Sequence, residues 1–238
     1  MGAGVVVLRE GFEASLVVGV VLAFLDRTGR RDGFTAVWVG VAAALTLSLA
    51  AGAALFAAGA ELEGRSEAIF EGVVMLTAAG LLTWMIFWMR GRARTLRREI
   101  EGRTQAALDA GSALGLATVV FIGVAREGVE TALFLFSSIE GSSSLVSFAG
   151  AIVGGALAVG LGYLFYRGSH RLNLRTFFNA TSVLLLVFAG YLLASGLHEL
   201  AEASVIPESE ALLVAAFAAL AGPTLYLFFR KPKPVAAA

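Results

Sequence analysis

The sequence predicts an all-α, polytopic membrane protein of seven transmembrane helices, with its amino terminus outside and its carboxyl terminus in the cytoplasm. Three observations carry this. The 238 residues are 58% hydrophobic and 15% charged with a mean hydropathy of +0.82, which lies outside the range of soluble domains. Seven apolar stretches reach the length of about 20 residues that a membrane crossing requires, and they are continuous and rich in Ala and Leu rather than alternating as barrel strands are. The basic residues gather in every second loop.

The first span is expected near 2 to 25. It has no basic leader ahead of it and Arg9-Glu10 interrupts it early, so it reads as a retained helix rather than a cleaved signal peptide. Arg27, Arg30 and Arg31 follow it on the inside. The second span, near 35 to 59, leads to an outer loop with Glu61, Glu63, Arg65 and Glu67. The third, near 68 to 89, has Glu71 toward its outer end and Trp84 and Trp88 toward its inner end. The Arg-rich loop 91 to 111 is at most a helical extension, and no loop is long enough for a folded soluble domain. The fourth and fifth spans are expected near 112 to 137 and 145 to 166, the fifth carrying Gly150, Gly154 and Gly155 for close helix packing.

Arg167, Arg171 and Arg175 then mark the inside again, and the sixth span runs near 176 to 198. The seventh, near 210 to 229, has Gly222-Pro223 as a site for a kink and ends in Arg230, Lys231 and Lys233. Every Lys and Arg except Arg9, Arg65 and Arg126 falls on the cytoplasmic side, and Trp38, Trp84, Trp88, Tyr163, Tyr166 and Tyr226 fall near the inner interface. The whole chain, 1 to 238, is one membrane domain: residues 1 to 90 form a first three-helix repeat, 112 to 200 a second, and 210 to 230 an added helix. Because the first span runs inward and the fourth outward, the two repeats have inverted topology. With no cysteine there is no disulfide or thiolate chemistry, and any metal is held by oxygen or imidazole.

Arg9-Glu10-Gly11-Phe12-Glu13 lies in the first span and Arg126-Glu127-Gly128-Val129-Glu130 in the fourth. A charge at the bilayer centre costs about 2.5 to 3.5 kcal/mol on insertion scales, so two such clusters require a function or very good pairing. Within each motif the glutamates are three residues apart on one helix face, and the arginine stands four before the second glutamate. Gly11 and Gly128 let a neighbouring helix approach. Counted from the inner span ends, Glu10 and Glu127 both lie roughly 22 Å deep, so four carboxylates can meet at one level. The two motifs sum to about −2 when ionised, a balance that a multivalent cation completes. Carboxylates suit hard cations, ferric iron, Mn²⁺, Ca²⁺ and Mg²⁺ among them, and accept ferrous iron; ligand type alone does not choose.

In these two motifs, placed in the first and fourth of seven spans, the chain resembles the oxidase-dependent iron permeases, the family of the fungal high-affinity iron permeases and bacterial EfeU-type transporters. The resemblance implies that Glu10, Glu13, Glu127 and Glu130 bind iron as transported substrate, with Arg9 and Arg126 supporting them, in the cytoplasmic membrane. It also implies separate extracytoplasmic partners: a ferroxidase, either a multicopper oxidase or a haem peroxidase, that oxidises ferrous iron, and an iron-delivery protein. No permanently bound cofactor, enzymatic activity or nucleic-acid partner is expected.

Other acidic positions have two readings each. Glu61, Glu63 and Glu67 form either a cation-concentrating funnel or an ordinary hydrated loop; Glu71 lies deeper and has the better claim to the pathway, although the matching position in the second repeat is Asn179. His198-Glu199-x-x-Glu202 lacks the second histidine of a zinc-protease motif and reads as a polar helix end or a satellite metal site. Metal loading is expected to release protons from the carboxyls, a candidate means of coupling. Rival readings are a permease for lead or manganese, a di-metal oxidase, whose bundle sites use Glu-x-x-His rather than Glu-x-x-Glu, and a membrane scaffold.

Overall fold

A computed structural model describes residues 2–92, 95–139, 144–167, 174–207, 209, 214–216 and 218. Seven α-helices follow in order: α1 Gly2–Arg27, α2 Phe34–Ala60, α3 Arg65–Arg92, α4 Leu96–Asp109, α5 Ala113–Ile139, α6 Ser144–Tyr166 and α7 Leu174–Glu202, with a 3₁₀ turn at Arg31–Gly33 before α2. No strand occurs among the described residues. Six of these helices coincide with the first six expected spans, and α4 is the helical extension expected of the Arg-rich loop. The expected seventh span lies largely outside the described residues, as does Tyr226.

Four helical stretches among the described residues are long and apolar enough to cross a membrane: Arg31–Ala60, Arg65–Met89, Leu145–Tyr166 and Thr176–Glu202. At 26 and 27 residues, α1 and α5 have the length, about 40 Å at 1.5 Å per residue, but each breaks its apolar run with the Arg, Glu and Glu of its motif. Trp38, Leu49, Leu145, Phe148 and Val159 stand exposed on α2 and α6, the surface that lipid rather than water would cover.

The chain forms two compact units, one of Met1–Leu62 with Met89–Leu185 and one of Glu63–Trp88 with the chain from Leu186 on. In the first, small residues decide which helices pair. Along α6, Gly150, Gly154, Ala158 and Gly162 recur every fourth residue and meet Gly4, Gly11, Ser15 and Gly19 of α1, so the two helices run parallel in close contact. Along α2, Gly40, Ser48 and Gly52 meet Ala117, Gly128 and Ala132 of α5 in the same way, also in parallel. Between the two pairs, α1 and α5 are antiparallel: Val17 packs on Gly123, while further along α1 the trend brings Leu25 and Leu116 together beside Gly33.

A core of Val20, Val21, Leu22 and Leu25 from α1, Val37 and Ala44 from α2, and Leu116, Val120 and Val124 from α5 closes this end of the unit. Ile100 of α4 joins that core, and Thr104 beside it returns its hydroxyl to the Ile100 carbonyl at 2.8 Å. At the rim, Glu101 accepts from Arg27 and Arg97, each at 3.0 Å. Gly29 and Gly111, with φ of +72° and +62°, supply the left-handed turns that end α1 and α4. The Ser112 hydroxyl then caps α5 by accepting the Gly115 N–H at 2.8 Å.

In the second unit, Gly72 of α3 packs against Gly196 and Leu200 of α7, and Arg65 Nε donates to the Ala203 carbonyl at 3.0 Å, which makes these helices antiparallel. Trp84 stacks on Trp88 with ring centroids 5.7 Å apart.

Candidate metal centre

Both motifs form uninterrupted helix, so each arginine reaches the second glutamate of its own motif one turn on. Arg9 Nε donates to Glu13 Oε1 at 3.2 Å, and Arg126 Nε donates to Glu130 Oε1 at 2.9 Å. Antiparallel packing of α1 on α5 then faces the motifs toward each other, with Glu10 about 12 Å from the Gly2 end of α1 and Glu127 about 18 Å from the Ile139 end of α5 at 1.5 Å per residue. Carboxylate oxygens of Glu10, Glu127 and Glu130 all lie within 4.8 Å of one another. Glu13 is buried beside its arginine and does not complete this group.

Full ionisation of this group is costly. Three ionised carboxylates at this spacing repel by about 3.5 kcal/mol per pair at an effective dielectric constant near 20. Both oxygens of Glu10 and Oε2 of Glu127 are buried with no N–H or hydroxyl donor among the described residues, the two carboxyl groups lying within hydrogen-bonding reach of each other, and Nη1 and Nη2 of Arg9 are buried without an acceptor. Buried carboxylate oxygens of this kind are costly unless something positive lies between them. An all-oxygen trio of this charge matches a hard or borderline cation.

The surroundings differ between the motifs. The Arg9 side chain is fully buried, whereas that of Arg126 is 33% exposed. Phe12 packs edge-on against Phe177 at 4.5 Å between centroids and also touches Phe178, so the start of α7 covers the α1 motif. Gly11 faces Ala158 of α6, and Gly128 faces Ser48 of α2, whose hydroxyl donates back to the Ala44 carbonyl at 2.8 Å. These neighbours were not singled out from sequence. The four-residue recurrence of small residues in α2 and α6 was the available signal.

The other acidic positions separate by unit. Glu67, Glu71, Glu199 and Glu202 line a cleft of about 520 Å³ in the second unit, with Arg65 on its wall. His198 Nε2 lies 3.2 Å from Glu202 Oε1 and is more than half exposed. Glu63 is exposed and does not line the cleft, and Glu61 caps the end of α2 in the first unit.

The sequence profile of the "Iron permease FTR1 family" matches residues 1–220. The ferrous iron permease EfeU of Escherichia coli O6:H1 is 38% identical over 202 residues, covering 84% of this chain and 73% of that protein. EfeU of Yersinia pestis is 36% identical over 202 residues, 84% and 72% of the two chains. An uncharacterized protein of Archaeoglobus fulgidus is 41% identical over 204 residues, 85% and 70%. No solved structure matches. Since the profile runs through both motif helices and nearly all of the chain, this multi-pass helical membrane protein belongs to the iron permease FTR1 family.

Proposed function

We propose that the protein moves iron across the cytoplasmic membrane and that the carboxylates of its two Arg-Glu-Gly-x-Glu motifs carry the ion. The observation that supports this most directly is the convergence of Glu10, Glu127 and Glu130 from two antiparallel helices, with Glu10 and Glu127 buried and no N–H or hydroxyl donor on either oxygen of Glu10. Ferrous iron is the ion in the names of the EfeU relatives, and carboxylates accept it as they accept ferric iron. In this reading iron arrives ferrous and is oxidised on the way in by a separate extracytoplasmic oxidase or peroxidase.

The reading places seven spans in the membrane as two inverted three-helix repeats and one added helix, with the amino terminus outside. It is supported by the pairing pattern. α1 with α6 and α5 with α2 are equivalent partnerships under an exchange of repeats, each parallel and each formed over small residues. Alternating exposure of the trio then follows from relative motion of the repeats.

The test is ⁵⁵Fe uptake into proteoliposomes, with iron supplied both as Fe²⁺ together with an added multicopper ferroxidase and as Fe³⁺-citrate, with and without a proton gradient, for the wild type and for Glu10→Gln, Glu127→Gln and Glu130→Gln. Uptake by the wild type and at least a fiftyfold loss in each variant is the expected result; wild-type uptake by any of them removes that residue from the site. Because oxygen ligands do not by themselves select iron, competition by excess Mn²⁺ and Pb²⁺ in the same assay decides the cargo.

A further inference from the structure

The four motif glutamates are not equivalent in the folded chain. Glu130 belongs to the trio while also accepting from Arg126, whereas Glu13, at the matching position of the first motif, is taken up by Arg9 and stands outside the trio. Exchanging the two motifs position for position swaps Arg9 with Arg126, Glu10 with Glu127, and Glu13 with Glu130. Applied to the observed trio, the exchange returns Glu10 and Glu127 and replaces Glu130 by Glu13.

We infer that Glu10 and Glu127 hold the cation throughout transport, that Glu130 is the third ligand in the conformation described here, and that Glu13 replaces Glu130 in the opposite-facing conformation. This rests on the proposed iron-permease reading and its inverted repeats. In such carriers the two access states arise when the repeats trade conformations about a fixed site, so an asymmetry within the site in one state is mirrored in the other. The observed asymmetry has the required form. Arg9 is sealed from solvent and holds Glu13 through Nε alone, with both terminal nitrogens unpartnered. Arg126 stands at the more open side, next to the glutamate that is in the trio. Each arginine already holds the second glutamate of its own motif. Movement of the Arg9–Glu13 pair into the site, with withdrawal of the Arg126–Glu130 pair, converts one arrangement into the other without a fifth carboxylate. Glu13 is therefore a transfer ligand, idle while the ion rests and required for it to leave.

The test separates binding from flux. Full-length protein in lipid nanodiscs is titrated with Mn²⁺, with free ion followed by electron paramagnetic resonance, and ⁵⁵Fe uptake is measured in proteoliposomes with the added ferroxidase and from Fe³⁺-citrate. Glu127→Gln is expected to weaken Mn²⁺ binding at least tenfold and Glu130→Gln to weaken it similarly, while Glu13→Gln keeps affinity within threefold yet loses uptake at least fiftyfold. Glu13→Asp, which preserves the charge beside Arg9 but is shorter by one methylene, keeps affinity and loses uptake at least tenfold, so the idea stays testable if the Gln variant does not fold. Loss of Mn²⁺ affinity in the Glu13 variants equal to that of Glu127→Gln overturns the inference by making Glu13 a permanent ligand. Uptake at the wild-type rate in either variant overturns it by leaving Glu13 only a counterion. Mn²⁺ binding without iron uptake by the wild type counts instead against the permease reading.

Discussion

Gly128 of α5 faces Ser48 of α2 so closely that a Cβ at 128 would overlap the serine hydroxyl and crowd its Cβ. The glycine between the two glutamates of the motif is thus a packing requirement imposed by a neighbouring helix, and it fixes how near α2 comes to the carboxylates. Gly128→Ala is expected to destabilise by about 1 to 3 kcal/mol, the usual cost of overpacking. Adding Ser48→Gly should restore most of the loss. Thermal denaturation of the purified protein in detergent measures both, and a stable single variant would show that the helices separate without cost.

The parallel pairing of α2 and α5 can be locked chemically. A Cβ at Gly52 would stand 3.5 Å from the Ala132 Cβ, within the span that a disulfide bridges. The chain has no cysteine, so Gly52→Cys with Ala132→Cys reports on a silent background. Mild oxidation should consume both thiols within one chain, as read by thiol titration and intact mass; two persistent free thiols would contradict the pairing.

Two substitutions on α4 should differ sharply although they are adjacent. Ile100 is buried in the core beneath the helix, and Ile100→Ala should cost about 2 to 4 kcal/mol. Glu101→Gln removes the partner of Arg27 and Arg97 at the exposed rim and should cost no more than about 1 kcal/mol, falling further in high salt. Equal effects on unfolding would mean that α4 is held by its charges and not by its apolar face.

Ion binding by the trio predicts ligand-dependent stability. With Mn²⁺ at a hundred times its dissociation constant, the wild type should gain about 2.7 kcal/mol from mass action alone, and Glu127→Gln should gain far less at the same concentration. A thermal shift series against Mn²⁺ with EDTA reversal reads this directly, and equal shifts in both proteins would place the ion elsewhere.

Much of this architecture could be read in advance, for identifiable reasons. Long Ala- and Leu-rich runs between charged loops locate six helices to within a few residues, since the period and the breakers are both local. The motif pairs were visible because ionisable residues in apolar helices stand out. The uneven use of the four glutamates was not, because Glu13 and Glu130 hold the same place in matching motifs and their inequality depends on which helices face them. Ser48 and the pair Phe177 and Phe178 were also missed, since their relation to the motifs exists only after α2 and α7 have packed. The amphipathic α4 read only as an Arg-rich extension because a single buried face, Ile100 and Thr104, is a faint pattern in fourteen residues.

Where α1 lies along α6, small residues make most of the touching positions, Gly4, Gly11, Ser15 and Gly19 on one and Gly150, Gly154, Ala158 and Gly162 on the other, with Val7, Phe165 and Tyr166 as the larger side chains beside them. Bulky interlocked helices must lift their teeth from one notch to the next in order to move, and each notch is a barrier. A seam made mostly of small residues has shallow notches and brings backbone against backbone, so the helix carrying Glu10 and Glu13 is held close to its companion with few bulky teeth to lift.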